Sequence, residues 1–199
     1  VTVDSIYGIE QIAQHQEAKK QVAVADVLLL TKTDLASTEQ IKNLQNTLSE
    51  LNSGASQYHI EHGNIEPANM IDVGLFNAEK QATPQRWLKT PNKPKGLLDT
   101  NHNGGIKSFT VTLPSPLNFD QLEPKLEWLC EHHGEQLLRM KGILHVDDQP
   151  APLAIHAVPK TLYTPTLLNG WTEEPAISRL VLIGENLDEE AIRKELMKI

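Results

Sequence analysis

Four apolar residues in a row, Val27-Leu28-Leu29-Leu30, run straight into the polar string Thr31-Lys32-Thr33-Asp34, and no other feature limits the fold of this chain as much. The run has no polar alternation, so it suits a strand covered on both faces, as in a parallel sheet. Helical patterns flank it. Upstream, Ile9, Ile12, Ala13, Val22 and Ala23 space out a helix over residues 9–24. Downstream, Ser37 and Gln40 form a capping-box pattern, and Ile41, Leu44, Leu48 and Leu51 supply one apolar stripe. Val1 to Val3 reads as the end of an earlier strand, and Tyr58-His59-Ile60 as the next one. Strand–helix–strand–helix–strand order implies a parallel α/β sheet over residues 1–76.

Residues 77–105 change character. Pro84, Pro91, Pro94, Gly96, Gly104 and Gly105, with Asn and Lys between them, make this a linker or mobile loop, Asn101-His102-Asn103 included. Residues 106–199 read as a second, smaller α+β unit. Ile106 to Leu113 alternates, with Lys107, Phe109, Val111 and Leu113 on one face and Ile106, Ser108, Thr110 and Thr112 on the other. Asn118 caps a helix whose buried stripe is Leu122, Leu126 and Leu129. Three further strands are expected over Leu138–Val146, Leu153–Val158 and Ile177–Ile183. Asp188 caps a last helix, with Glu189 and Glu190 in its first turn and Lys194 and Lys198 near its end, as the helix dipole favours. The β-α-β-β-β-α order implies an antiparallel sheet with its helices on one face.

Charge and composition exclude several classes. A net charge of -8, from 18 basic and 26 acidic residues, argues against a nucleic-acid partner. The nearest approach to a basic cluster, Lys89 to Lys95, is broken by prolines. No apolar run approaches the ~20 residues that span a bilayer, and no signal peptide opens the chain, so neither membrane nor secretion is expected. The single Cys130 leaves no internal disulfide and no multi-cysteine metal site, which suits a cytoplasmic protein. The chain has no initiator Met and opens inside a strand pattern, so it is expected to be a piece of something longer.

The string Thr31-Lys32-Thr33-Asp34 carries the chemistry. GTPases end a strand in Asn/Thr-Lys-x-Asp to read guanine. An ionised Asp carboxylate only accepts hydrogen bonds, and guanine offers it two adjacent donors, N1–H and the 2-amino group. Adenine has an acceptor at N1 and no 2-amino group, so it would leave the carboxylate unpaired at a cost of about 1–3 kcal/mol. The stem of Lys32 can lie flat on the purine ring while its ammonium stays solvated. A bare Lys-x-Asp arises by chance about 0.7 times in a chain this long. The position adds weight, because open α/β sheets bind ligands at the C-terminal ends of their strands. A polar strand-to-helix turn remains the other reading of these four residues.

The order Val3-Asp4, Gln21, Ala25-Asp26 and Leu28-Leu29-Leu30-Thr31-Lys32-Thr33-Asp34-Leu35 resembles the rear of a CobW-like G domain. Leu137-Leu138-Arg139-Met140-Lys141-Gly142 is similar to that family's Leu-Arg-x-Lys-Gly signature, and Ser178 to Gly184 resembles its closing strand. The resemblance implies a metallochaperone GTPase, with GTP and Mg²⁺ bound by the parent protein and zinc, cobalt or nickel delivered to a metal-dependent client protein. It implies that Thr31, Lys32 and Asp34 read guanine, with Thr31 standing where Asn is commoner. His62-Gly63, after the next strand, falls where a loop would pack on the base, although Gly63-Asn64 is also plain turn chemistry. The chain contains no G-x-x-x-x-G-K-[ST] phosphate loop, no Mg²⁺-holding aspartate strand and no Cys-x-Cys-Cys motif. By itself it should neither hydrolyse GTP nor bind it tightly. A sheet missing strands would also invite self-association.

Other residues compete for a role. His145 and His156, with a carboxylate such as Asp147, make a weak metal candidate, while His132 and His133 point roughly 100° apart on a helix. Arg139 and Lys141 should share one face of a strand, as a solvated face or an anion- or partner-binding one. Trp128 and Trp171 read as core or rim packing residues or as exposed recognition residues, Cys130 as buried and inert, and Asp4 as structural. Two other functions stay open beside the GTPase: a non-enzymatic interaction module acting through the C-terminal sheet, and a histidine-based metal-binding domain.

Overall fold

The computed structural model describes residues 1–67, 70, 105–171 and 176–198. Except for Gly105, the linker expected over 77–105 lies outside the described residues, as do Lys89 to Lys95 and Asn101-His102-Asn103. No helix among the described residues is long and apolar enough to cross a membrane.

Strands β1 (Thr2–Asp4), β2 (Val27–Thr31) and β3 (Ser56–Ile60) form a parallel sheet in the order β1-β2-β3. Leu30 of the central strand lies between Val3 and His59. Leu28 and Leu30 are fully buried, under helices α1 (Gly8–Gln14), α2 (Gln16–Val24) and α3 (Thr38–Leu51). Leu29, on the opposite face, is half-buried, so the apolar run is covered more fully on one side than on the other.

The helix expected over 9–24 is two helices. His15 is extended between them, at φ -119° and ψ 114°. No apolar residue lies between Ala13 and Ala18, so nothing on that stretch holds one continuous helix to the core, and the chain re-aims to bury both Ile12 and Val22. Ser37 and Gln40 close the expected capping box on α3. The end of α3 does further work. The buried Asn52 Nδ2 donates to the carbonyls of Val22 (2.9 Å), Ala23 (3.0 Å) and Ala25 (2.8 Å). Carbonyls at a helix C-terminus lack intrahelical donors, and the two hydrogens of one amide are shared here among three around the end of α2, the Val22 carbonyl also accepting from Ala25 N–H at 3.3 Å.

The second sheet is antiparallel. Its strands are β4 (Ile106–Leu113), β5 (Leu137–Leu144), β6 (Leu153–Val158), β7 (Thr161–Leu162), β8 (Thr166–Leu167) and β9 (Ser178–Glu185). The order is β4-β9-β5-β6-β7, with β8 also on β6. The two-residue strands β7 and β8 are additions to the expected order, too short to leave a periodic pattern. Helices α4 (Phe119–His132) and α5 (Glu189–Leu196) cover one face, packing Leu122, Leu126, Leu129, Ile192 and Leu196 on Phe109, Val111 and Leu182. Asn118 and Asp188 cap them as expected, accepting from the N–H groups of Gln121 and Ala191. Ile106, Leu138 and Ile183, on the other face, close on Ala23 of α2. Gly142 lies where β5 is crowded by its neighbours: a Cβ there would come within 2.4 Å of Leu180 Cδ2 and 2.7 Å of Ile155 Cγ1.

Asn52→Asp replaces the donor facing three carbonyls with an acceptor. We expect a loss of about 3 kcal/mol or more of stability, as for a buried polar group left without its bonds. Urea unfolding followed by circular dichroism measures it; an unchanged midpoint would show that the amide does not hold the two helices together.

Candidate functional site

Parallel pairing brings Asp4, Thr31 and Ile60 to one edge of the first sheet, since Asp4 lies opposite Thr31 and Thr31 opposite Ile60. The turn after β2 is sewn to the end of β1. Ser5 N–H donates to the Thr31 carbonyl at 3.0 Å, and the Thr31 hydroxyl donates to the Val3 carbonyl at 3.3 Å. Lys32 takes the left-handed conformation (φ +56°), uncommon for a residue with a side chain. Leu35 N–H closes the turn on the Lys32 carbonyl at 3.1 Å. Thr33 turns inward and is buried, whereas Asp34 is exposed and, among the described residues, makes no hydrogen bond or ion pair.

Asp4 is the residue whose part here was not legible in the sequence. Its Oδ2 lies 2.6 Å from Lys32 Nζ, and its Oδ1 accepts from the N–H groups of Ile6 (2.8 Å) and Tyr7 (3.1 Å). Burial raises the Asp4 pKa, but the Lys32 ammonium and the two backbone donors outweigh it, leaving the carboxyl below its ordinary value. The same hydrogen bond raises the Lys32 pKa. The Lys32 ammonium is thus paired with a carboxylate, while its side chain stays 51% exposed. The signal was a matter of register: Asp4 precedes Lys32 by a whole helical connection, and β1–β2 pairing alone brings them together.

His62 and Gly63 lie on the same edge, in the loop after β3. Both have positive φ (+50° and +76°), Asn64 N–H returns to the Glu61 carbonyl at 2.9 Å, and Glu61 bridges Asn64. This is a tight hairpin-like turn, with glycine at the second left-handed position.

At the opposite end of β2 stands a partly buried charge cluster. Arg139 donates to the Val24 carbonyl and to Asp26, and Lys141 Nζ donates to Asp26 Oδ1 at 2.7 Å. The side chains of Arg139 and Lys141 are only 13% and 11% exposed, which corrects the solvated face expected for this pair. Burial raises the Asp26 pKa, but Lys141 and Arg139 outweigh it and leave the carboxyl below its ordinary value. Lys141 is pushed down to about 8, first by burial and then by Arg139. We take Arg139–Asp26 as the favourable pair and Lys141 as a third charge held there at a cost. Lys20 and Glu185 add an ion pair of 2.9 Å at the same junction.

The histidines are not gathered. Lys141 pairs with His156 and Leu144 with Leu153, so His145 lies about four residues along the ladder from His156, roughly 13 Å away. His156 stacks on Tyr163 (4.2 Å), and burial, then Lys141 and Arg139, lowers its pKa. His145 meets the edge of Trp171, which packs on Ile143, Ala154, Leu168 and Val181. The three-donor site suggested for His145, His156 and Asp147 does not form, and among the described residues no group of three or more such side chains could hold a metal ion. His132 and His133 both contact the Trp128 ring, and Trp128 is 38% exposed. Cys130 is buried, and burial raises its thiol pKa to about 11.

A parallel sheet with polar turns at its C-terminal edge, followed by an antiparallel sheet docked on its helices, defines a two-part α/β protein of the kind that meets ligands at strand ends. Residues 2–59 match the model of the CobW/HypB/UreG nucleotide-binding domain, and residues 106–199 that of the cobalamin synthesis protein cobW C-terminal domain. The chain belongs to the CobW family. It is 33% identical over 192 residues to the zinc chaperone YjiA of Escherichia coli, covering 96% of this chain and 57% of that protein. It is 28% identical over 131 residues to the zinc-regulated GTPase metalloprotein activator 1 of Dictyostelium discoideum, covering 65% of this chain and 27% of that one. The crystal structure of the Zn(II)-bound YjiA GTPase superposes with a TM-score of 0.76 at 29% identity, over 98% of this chain and 58% of that one. The chain thus spans little more than half the length of YjiA, and less of the Dictyostelium protein.

Asp26→Asn leaves two buried cations facing a neutral amide. The expected loss lies between the ~1 kcal/mol of an exposed pair and the ~3–5 kcal/mol of a buried one, because Asp26 itself is 43% exposed. Lys141→Met should cost less. The Asp26 contribution should be complete above its unfolded-state pKa near 3.8 and vanish as pH falls through the lower folded value. Denaturant midpoints from pH 7 down to pH 3 test both; equal losses for the two variants, or no acid-dependent difference between wild type and Asp26→Asn, would contradict this division.

Proposed function

We propose that this chain is the guanine-reading end and C-terminal domain of a GTP-binding metallochaperone. The observation that carries the reading is Asp34: an exposed carboxylate without a partner among the described residues, at the C-terminal edge of a parallel sheet, two residues past Lys32. Its acceptor-only oxygens match the adjacent donors of guanine, N1–H and the 2-amino group. The Lys32 stem would lie along the purine face, and the turn at His62 and Gly63 would border the base from β3. These residues include no G-x-x-x-x-G-K-[ST] sequence, so the reading assigns them the base and not the phosphates or their Mg²⁺. Hydrolysis would belong to the complete protein, since phosphoryl transfer is governed by groups around the phosphates.

The relatives' names, a zinc chaperone and a zinc-regulated GTPase metalloprotein activator, support zinc as the cargo; the reading takes its destination to be a metal-dependent client protein in the cytoplasm. The interaction-module alternative loses its most polar candidate surface, because Arg139 and Lys141 are occupied by Asp26.

Asp34→Asn in the full-length protein is the test. An amide keeps one acceptor for N1–H and turns one donor outward, which suits xanthine, whose 2-position is a carbonyl. GTP affinity should fall about 10- to 100-fold, the worth of one hydrogen bond to a charged group, and XTP affinity should rise. Isothermal titration measures both, and unchanged GTP binding in the variant would defeat the reading.

A further inference from the structure

We infer that Asp4 is a positioning residue for nucleotide selection: it holds the Lys32 ammonium away from Asp34, so that the Asp34 carboxylate stays free for the base. This rests on the guanine-reading function proposed above and gives a role to a residue outside the Thr-Lys-x-Asp string.

Lys32 and Asp34 occupy one short turn, and a lysine stem is long and freely rotating. Left to itself, the Lys32 ammonium has Asp34 as the nearest acidic residue in sequence. That pairing would compete with guanine for the same oxygens. In the structure the ammonium goes elsewhere, to Asp4 Oδ2 at 2.6 Å. The Asp4 carboxylate is well placed to hold it. Its side chain is only 16% exposed, and its other oxygen is fixed by the N–H groups of Ile6 and Tyr7 at the entry to α1. The end of β1 is in turn tied to β2 through Thr31, by the bonds from Ser5 N–H and to the Val3 carbonyl. The clamp is therefore built on the sheet rather than on a mobile loop. Two consequences follow. Asp34 is left without a partner among the described residues, and the Lys32 stem is already ordered before any base stacks on it. Ordering one long side chain in advance removes a cost of binding.

The inference separates a selectivity effect from a structural one. Inosine lacks the 2-amino group of guanosine, so the GTP-to-ITP affinity ratio reads the bond from that group to Asp34. In the full-length protein, Asp4→Asn keeps an oxygen for the Ile6 and Tyr7 N–H groups but gives up the carboxylate charge. GTP affinity should fall about two- to tenfold, and the GTP-to-ITP ratio should fall with it. In a Lys32→Met background the competitor is gone, so Asp4→Asn should leave the ratio unchanged. Lys32→Met alone should weaken both nucleotides while keeping the wild-type ratio, and this result does not depend on whether Asp4→Asn folds. A ratio untouched by Asp4→Asn, an equal fall in the Lys32→Met background, or a fall in Lys32→Met alone would each overturn the role of Asp4. A wild-type protein with no preference for GTP over ATP would instead remove the guanine-reading function itself.

Discussion

Asp26 holds the two sheets together. It stands at the junction of α2 and β2, and the two cations of the Leu-Arg-x-Lys-Gly signature converge on it from β5. Arg139 also takes the Val24 carbonyl, one of the groups that a helix leaves open at its C-terminus. The neighbouring carbonyls of Val22, Ala23 and Ala25 belong to Asn52. The end of α2 is thus capped from both sides, by α3 of its own sheet and by a strand of the other. Ion pairs of this kind add little net stability, because desolvation consumes most of the attraction. What they supply is register. The apolar contact of Ala23 with Ile106, Leu138 and Ile183 could slide, and three hydrogen bonds to fixed backbone and carboxylate positions cannot.

Gly142, the last residue of that signature, fits the same account. Lys141 must point toward Asp26, so its neighbour in the strand faces the other side, toward α4 and α5. There the side chains of Leu180 and Ile155 already meet over the backbone, and no Cβ has room. One residue of the signature binds the first sheet and the next admits the core of the second. A run of five residues that looks like a recognition motif is, in the main, a packing motif.

Much of this was legible in the sequence, and the misses share a cause. The capping box of α3, the Asn118 and Asp188 caps and the buried stripes are local, set by residues three or four apart. The break at His15 was hidden because amphipathic spacing resumes in phase after it. The partnerships of Asp4 with Lys32 and of Asp26 with Arg139 and Lys141 join residues far apart in the chain, and only strand register decides them. His145 and His156 show the converse. His156 lies on β6 and His145 just past the end of β5, yet the ladder offsets them by several residues. Composition suggests which side chains could meet, and register determines which do.

The placement of the joint bears on how the two halves can communicate. Asp26 precedes the first residue of β2, and the turn carrying Lys32 and Asp34 follows its last. The second sheet therefore grips the strand at the end away from the candidate base, and through this contact it reaches that edge only along β2. A strand paired on both sides is stiff, so tilting or shifting it moves Thr31, Lys32 and Asp34 together rather than one at a time. The pairing with β1 extends this to Asp4, whose register with Thr31 makes the clamp on Lys32 part of the same rigid piece. A change in how the C-terminal sheet sits on α2 would be felt at the reading edge as displacement of the whole turn. Such a coupling would alter how well a bound base fits the turn while leaving the donor–acceptor pattern that distinguishes one base from another intact.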